Sequence, residues 1–347
     1  MIAMSGGVDS SVAAFLLKEQ GYDVTGVTMC MGVTGEEGRA ACCGAEAIAD
    51  ARRVCDRLRV PHHVIDYADE LENSVIRKFK EEYLRGRTPN PCVDCNRYLK
   101  FGSLLKRALA LGFDCLATGH YACLEKAEGE YYLKKARDLT KDQTYFLYPI
   151  ARQDLPRLLF PLAPYVKEEV RELARRAGLP TADKGESQDI CFMPKGRMDS
   201  LFTDTDDISP GDIVDTEGKI LGRHRGIVFY TVGQRTGLGI SHPEPRYVLS
   251  VEAARNRLVV GSRYQLKSKE LLAGDCNFLV ADWPSEVTAK IRYRKKESPC
   301  VTRREGDRIR VTFREAQEAA TPGQAIVFYD GDLVLGGGVI EEVMGGH

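Results

Sequence analysis

No stretch of the sequence approaches the roughly 18 consecutive apolar residues that a membrane-crossing helix needs, so no helical span is expected. The start, Met1-Ile2-Ala3-Met4, meets a glycine loop with neither a basic region nor an apolar run of signal-peptide length before it. A cytoplasmic location is the expectation. Charge of one sign is not in excess: 49 Lys and Arg face 50 Asp and Glu, and with 43% hydrophobic residues this describes an ordinary globular chain rather than a disordered one. Eleven cysteines are too few for a disulfide scaffold of 347 residues, and a reducing compartment keeps most of them as thiols. Internal repeats and low-complexity tracts are lacking too. The length exceeds what one hydrophobic core usually supports, which predicts two or three domains.

Up to about residue 120, short apolar runs alternate with amphipathic helical patterns, the signature of a parallel sheet covered by helices. Strands are predicted at 1–4, 22–30, 62–66 and 114–118. Helices are predicted at 10–20, 45–59 and 99–111, the first and last ending at Gly21 and Gly112. Residues 121–136 read as a hairpin turning at Glu128-Gly129-Glu130. Val166, Val170, Leu173, Ala174 and Ala177 repeat at helical spacing until Gly178 and Pro180, and that is the last firm helix. From about 205 short strands between turn clusters predict a β-rich remainder. The predicted domains are 1–204, 205–273 and 274–347.

Segment 286–314 holds ten Lys or Arg against four acidic residues, a local excess of six positive charges. Such an excess suits a polyanion, since Lys and Arg displace counterions from phosphates. A solvated face of a β-domain is the alternative.

The strongest local signal is Met4-Ser5-Gly6-Gly7-Val8-Asp9-Ser10-Ser11, between a minimal strand and an apolar-periodic helix. Two glycines let the backbone turn tightly, and N–H groups at a helix start converge on an anion. The hydroxyls of Ser5, Ser10 and Ser11 add donors. The loop is neither the P-loop nor the dinucleotide-binding pattern; the alternative is a glycine-rich capping turn. S-G-G-x-D-S resembles the pyrophosphate loop of the ATP pyrophosphatases, which cleave ATP between its α- and β-phosphates to adenylate a substrate. The resemblance implies Asp9 as a ligand of Mg²⁺, a hard cation suited to oxygen donors.

Cys92 and Cys95 form a C-x-x-C, Cys42 and Cys43 are adjacent, and Cys191 stands alone among polar neighbours. Cys55, Cys115 and Cys123 sit among apolar residues, where a buried thiol is the default. Pro89 and Pro91 stiffen the loop before the helix at 99. Asn96 reads as its N-cap, which puts Cys95 where helix N–H groups lower a thiol's pKa.

At this point the likeness extends over nearly the whole chain. A-M-S-G-G-V-D-S-S at 3–11, C-x-x-C-N with K-F at 92–101, A-T-G-H-Y-A at 117–122, K-D-Q-T-Y-F-L at 141–147, D-I-C-F at 189–192, Y-T-V-G-Q-R-x-G-L-G-I at 230–240, R-Y-R at 292–294 and T-P-G-Q at 321–324 run in order. The array resembles the tRNA 2-thiouridylases. That implies an α/β fold: a parallel-sheet ATP-pyrophosphatase domain, like the adenine nucleotide α-hydrolases, then a β-rich central domain and a C-terminal β-barrel.

The resemblance implies ATP on Ala3, Met4, Ser5, Gly6, Gly7, Val8, Asp9 and Ser10, with Met29 and Gly119. It makes Cys95 the nucleophile and Cys191 the persulfide carrier. Asn90, Pro91 and Cys92 would surround the target base. His120, Lys141, Asp142, Gln143, Arg292, Tyr293 and Gln324 would touch the tRNA. Taken alone, His120 reads as a satisfied core histidine and Tyr293 as a sheet-face aromatic.

The chemistry fits these residue types. The C2 oxygen of uridine is a poor leaving group, so ATP must first adenylate it, and sulfur from a Cys191 persulfide then either attacks C2 or is released by Cys95 as sulfide; both routes end in a Cys95–Cys191 disulfide. The substrate would be a wobble uridine turned out of the anticodon stack. Cys92 is a departure, since relatives carry an aspartate there and a thiol is no like-for-like carboxylate. Cys92, Cys95 and Cys191 could ligate three corners of a [4Fe–4S] cluster, or Cys92 and Cys95 could join other cysteines on Zn²⁺. The sequence leaves these routes open, and with them the sulfur donor, whether desulfurase, relay protein or sulfide. Other readings are an amidating ATP pyrophosphatase, though no glutaminase-like region is seen, and a non-catalytic tRNA-binding protein. A four-residue first strand is short, so a longer natural N-terminus is expected.

Overall fold

The computed structural model describes residues 1–32, 45–185, 190–193, 198–202 and 208–344. Two compact units emerge: Met1–Val75, Cys92–Gly196 and Asp332–Val334 form the first, and Ile76–Pro91, Arg197–Gly331 and Leu335–His347 the second.

In the first unit, β1 (Ile2–Ala3), β2 (Gly26–Cys30), β3 (His62–Asp66), β4 (Leu116–Ala117) and β7 (Leu158–Leu159) make a sheet ordered β3-β2-β1-β4-β7. Every pairing in it is parallel. Parallel neighbours need crossovers, and α1 (Val8–Glu19) and α2 (Ala45–Leu58) supply them on the β1 to β3 side. Val8, Val12 and Leu16 recur every four residues on α1 and bury with Ile2, Met4, Val54 and Leu58 in one core. From β1 the chain steps to β2 and β3 on one side and returns at β4 on the other. The carboxyl ends of β1 and β4 therefore flank a topological switch point, where open α/β sheets bind ligands.

A hairpin, β5 (Cys123–Ala127) and β6 (Glu130–Lys134), follows β4 and turns at Glu128-Gly129 as predicted. The helix α3 (Lys167–Arg176) starts one residue after Val166, its N-cap. Strand 22–30 was overextended: Tyr22 and Asp23 are exposed and pairing starts at Gly26.

The larger correction concerns the helix predicted at 99–111. A continuous helical run begins at Pro91, with α-helix at Pro91–Asp94, π-helix at Cys95–Leu104 and α-helix again at Leu105–Ala110. Asn96 therefore lies inside the run and is no N-cap; its Nδ2 donates to Phe146 O at 2.9 Å. Pro91 opens the helix because its fixed φ suits the first helical position, where its missing N–H costs nothing.

The second unit contains a four-stranded sheet of β8 (Gly211–Val214), β9 (Ile220–His224), β10 (Tyr247–Glu252) and β11 (Arg257–Gly261), ordered β10-β11-β8-β9. Ile213, Tyr230, Val248, Leu258 and Val260 form its core. Six further strands follow: β12 (Lys267–Phe278), β13 (Glu286–Lys290), β14 (Ser298–Glu305), β15 (Arg308–Glu318), β16 (Ala325–Asp330) and β17 (Leu333–Met344). Their order is β12-β15-β14-β13-β16-β17, and β17 pairs back on β12, so they close a barrel. Cys300, Ile309, Val311 and Phe313 face inward while Arg303, Arg308 and Arg314 face out. Among the described residues no helix is long and apolar enough to cross a membrane.

Candidate active site

The loop Met4–Gly7 leaves β1 at the switch point. Gly6 takes φ +70°, and a Cβ there would stand 2.2 Å from Ala47 O, so only glycine fits. Ser5 N–H donates to Ser10 Oγ at 3.2 Å, and the hydroxyls of Ser5 and Ser10 lie 3.2 Å apart. Ser5 is exposed and suits a ligand. Ser11 does not: it is buried, its Oγ donates to Gly7 O at 2.7 Å and accepts from Thr181 Oγ1 at 3.0 Å. Met4 and Val8 belong to the core, so they offer a ligand their backbone alone. Gly7 precedes α1, whose first N–H groups have no partner within the helix and form an anion site.

Asp9 stands in the first turn of α1. Its Oδ1 accepts from Tyr121 OH at 2.9 Å and from Lys167 Nζ at 2.7 Å, and its Oδ2 accepts from Lys167 Nζ at 2.8 Å. Lys184 Nζ donates to Gly6 O at 3.2 Å and pairs with Asp50. Burial pushes the Asp50 carboxyl up, but Lys184 and Arg53 outweigh it and hold it below its ordinary value. Met29 is half-buried on β2.

Gly119 follows β4 and faces the backbone of Asp9 and Ser10. His120 comes next, its ring 5.9 Å from that of Phe101 and 6.2 Å from that of Phe160. Lys100 Nζ lies 3.5 Å from Nε2. An ammonium only donates, so Nε2 accepts and Nδ1–H donates to Thr118 Oγ1 at 2.7 Å. Burial and then Lys100 hold His120 well below its ordinary value of 6.5, so it is neutral.

Cys92 is the second residue of the helical run and is exposed; Cys95 is buried. The expectation that the helix start lowers the Cys95 thiol is overturned: desolvation raises it, and Lys100 opposes that only in part. Cys92 is likewise raised by desolvation, with Lys100 opposing. Cys191 is exposed in the turn Ile190–Met193, closed by Met193 N–H to Ile190 O at 2.9 Å. Asp189 of its motif, and Cys42 with Cys43, lie outside the described residues. Of the three cysteines expected in the core, Cys55 is buried and its thiol pushed up to about 11, whereas Cys115 and Cys123 are only half-buried.

Among the described residues no group of three His, Cys, Asp or Glu could hold a metal ion. Cys92, Cys95 and Cys191, all described, do not form such a group, while Cys42 and Cys43, which a Zn²⁺ site could draw on, lie outside the described residues. A divalent cation at Asp9 fits better, since that carboxylate is 33% exposed and its oxygens are hard donors, though it would share them with Lys167.

The residues expected on tRNA divide. Lys141 is half-buried, its N–H donating to Asp138 O at 3.1 Å. Asp142 is 4% exposed and turns inward: Oδ1 accepts from Ala136 N at 3.3 Å and Oδ2 from Thr144 Oγ1 at 2.6 Å. Gln143 is locked to Tyr121, its Oε1 accepting from Tyr121 N and its own N–H donating to Tyr121 O, both at 2.9 Å. In the second unit, Arg292 Nη2 donates to Thr321 Oγ1 at 2.6 Å and to Val232 O and Ala319 O at 3.1 Å. These side chains bind the protein because buried carbonyls and amides need partners. Tyr293 is half-buried. Asn90 and Pro91 belong to the second unit and Cys92, next in the chain, to the first.

Sequence reasoning missed Lys167, Tyr121, Lys184 and Lys100. Lys100 and Tyr121 stand inside quoted motifs, which was a usable signal; Lys167 follows the half-buried N-cap Val166 and gave none.

Comparison with known proteins agrees with this architecture. Residues 1–195 match the family described as the tRNA methyl transferase HUP domain, 204–262 the tRNA methyl transferase PRC-barrel domain and 268–340 the aminomethyltransferase β-barrel domain. The chain is 57% identical over 345 residues to the tRNA-specific 2-thiouridylase MnmA 1 of Syntrophus aciditrophicus, covering 99% of this chain and 93% of that protein. It is 50% identical to the tRNA-specific 2-thiouridylase MnmA of Carboxydothermus hydrogenoformans, covering 99% and 97%, and 48% identical to that of Acetivibrio thermocellus, covering 98% of each. With a pyrophosphatase-type loop at the switch point, a C-x-x-C at a helix start and this identity along its whole length, the chain belongs to the tRNA-specific 2-thiouridylase family.

Proposed function

We propose that the protein uses ATP to replace the C2 oxygen of a tRNA wobble uridine with sulfur. The observation that carries this reading is the loop Ser5–Ser10 at the switch point, with Asp9 gripped by Lys167 and Tyr121, in the same compact unit as Cys95 and Cys191. The helix start and Ser5 would receive the phosphates, and Lys167 and Lys184 supply positive charge beside them. A divalent cation shared with Asp9 would neutralise the departing pyrophosphate.

The uridine O2 attacks the α-phosphorus, pyrophosphate leaves, and the O2-adenylate makes AMP a good leaving group. The terminal sulfur of a Cys191 persulfide adds to C2 and AMP departs with the oxygen. Cys95 thiolate then attacks the Cys191 sulfur, breaking its S–S bond. The 2-thiocarbonyl remains on the base, a Cys95–Cys191 disulfide forms, and a dithiol returns two electrons to reopen it. An external sulfane donor reloads Cys191. Cys92, exposed beside the helix start, would face the base with Asn90 and Pro91. His120 is neutral and can accept a hydrogen bond or pack, but it brings no charge. The working division places this chemistry in 1–204, a small β-rich domain in 205–273 and a tRNA-contacting β-barrel in 274–347.

The test is conversion of an unmodified transcript by purified protein given MgATP, a persulfide donor and a dithiol, with AMP and 2-thiouridine quantified by mass spectrometry. Equal amounts of both are expected, with neither from Asp9→Ala and AMP without thiouridine from Cys95→Ser. Wild-type protein that releases no AMP removes the proposal.

A further inference from the structure

The family resemblance assigns Gln324 to tRNA, yet its side chain is engaged elsewhere. Nε2 donates to Thr88 O at 2.9 Å and to Pro89 O at 3.3 Å. An amide nitrogen carries two hydrogens, so these carbonyls take both. The backbone of Thr88 is gripped on its other side as well, its N–H donating to Pro322 O at 2.8 Å. Between the two lies Gly323 at φ +92°, where a Cβ would stand 2.8 Å from Thr88 N and 3.0 Å from Thr88 C and O. The turn Thr321–Gln324 thus lies flat against the backbone of Thr88.

That turn is itself fixed. Gly323 N–H donates to Ile340 O and Ile340 N–H to Gln324 O, both at 2.8 Å, which ties it to β17. Arg292 holds its first residue through Thr321 Oγ1 and the preceding Ala319 O. Arg87, just before the gripped residue, pairs with Glu82 at 2.6 Å and reaches Ile340 O at 3.4 Å. All of these residues belong to the second unit.

We propose that Gln324 is a positioning residue of the thiolation reaction: with the turn Thr321–Gln324 it clamps Thr88–Pro89 and so sets the starting point of Asn90-Pro91-Cys92, which follow directly in the chain. Two prolines in four residues leave few soft torsions between the clamp and Cys92, so a fixed Thr88 carries through to the helix start. Arg292 acts one step further back, by holding the turn. The proposal rests on the thiolation reading for its consequence, and on the hydrogen bonds alone for the clamp.

The test separates positioning from RNA contact in Gln324→Glu, which keeps the shape but removes both donors, and in Gln324→Ala. Three quantities are read: hydrogen exchange of peptides covering 87–92, the dissociation constant for unmodified transcript, and kcat at saturating transcript. A positioning role speeds exchange at 87–92 and lowers kcat, each by about tenfold or more, while the dissociation constant stays within about twofold. Weakened transcript binding with wild-type exchange and wild-type kcat overturns the proposal. Should Gln324→Glu lose cooperative melting, Gln324→Asn, which keeps the amide on a shorter stem, is read in the same way. The exchange arm needs no turnover, so a wild-type protein that makes no thiouridine rejects the proposed activity while the clamp is still read.

Discussion

Lys167, only 5% exposed, places its ammonium 2.7 and 2.8 Å from the two carboxylate oxygens of Asp9, 158 residues earlier in the chain. A buried ammonium is costly unless paired, and here the pair also fixes the first turn of α1 against the start of α3. Tyr121 completes the grip and is itself held by Gln143. The carboxylate at the start of α1 is therefore balanced by a single ammonium.

Removing both members of that pair costs less than the sum of the two single removals. Asp9→Asn leaves a buried ammonium facing a neutral amide and is expected to lower unfolding free energy by about 2 kcal/mol, discounted for the partial exposure of Asp9. Lys167→Met costs less, about 1 kcal/mol, because water reaches the carboxylate. The double variant should recover at least about 1 kcal/mol relative to the sum. Urea unfolding of the three variants checks this, and strict additivity would show that the ion pair is not coupled.

His120 makes stability depend on pH in a defined direction. Its folded-state value lies well below 6.5, through burial first and Lys100 second, so the unfolded chain takes up a proton where the folded protein does not. The contribution is complete above about 6.5 and is lost as pH falls below it, by up to about 1.4 kcal/mol per pH unit. His120→Asn, which retains a donor toward Thr118, is expected to flatten the urea midpoint between pH 6.5 and 5. An identical pH slope in variant and wild type would place the titrating group elsewhere.

The parallel sheet and the β-rich second half were legible because strand and helix periods are local. The glycine loop between β1 and α1 was legible because its glycines and Asp9 are contiguous. The helix at Pro91 was not, since Pro91 was read only as a loop stiffener and the π-helical stretch Cys95–Leu104 breaks the 3.6 period; the pattern returns only toward Leu105 and Ala108. Lys167 escaped because nothing local marks a lysine whose partner is Asp9. The inward hydrogen bonds of Asp142 were not legible either, because only tertiary structure brings Ala136 N and Thr144 Oγ1 to its oxygens.

Lys100 acts electrostatically on Cys92 and Cys95. Desolvation raises Cys95 and Cys92, and Lys100 is the group opposing it at both. Lys100→Met should therefore move the pH dependence of cysteine alkylation to higher pH and slow alkylation at pH 8 by about threefold to tenfold, because the thiolate is the nucleophile. The rates are read by mass spectrometry on peptides containing Cys92 and Cys95. Unshifted profiles would mean that the ammonium does not act on these sulfurs.

The barrel's basic segment is less positive than its composition. Arg314 pairs with Glu286 at 2.8 Å, Arg310 with Glu305 at 2.7 Å and Arg308 with Glu341 at 3.0 Å. Arg303 and Lys296 are exposed. If the barrel meets RNA phosphates, each neutralised phosphate contributes about 0.7 to 0.9 to the slope of log affinity against log salt. Arg303→Ala and Lys296→Ala should each lower that slope by about this amount, whereas Arg314→Ala should change it less, since Glu286 already offsets that charge and is left exposed without it. Transcript affinities measured from 50 to 200 mM salt decide the matter. A wild-type slope in both Arg303→Ala and Lys296→Ala would move the RNA contact off β14 and the turn before it, and leave those charges as a solvated face.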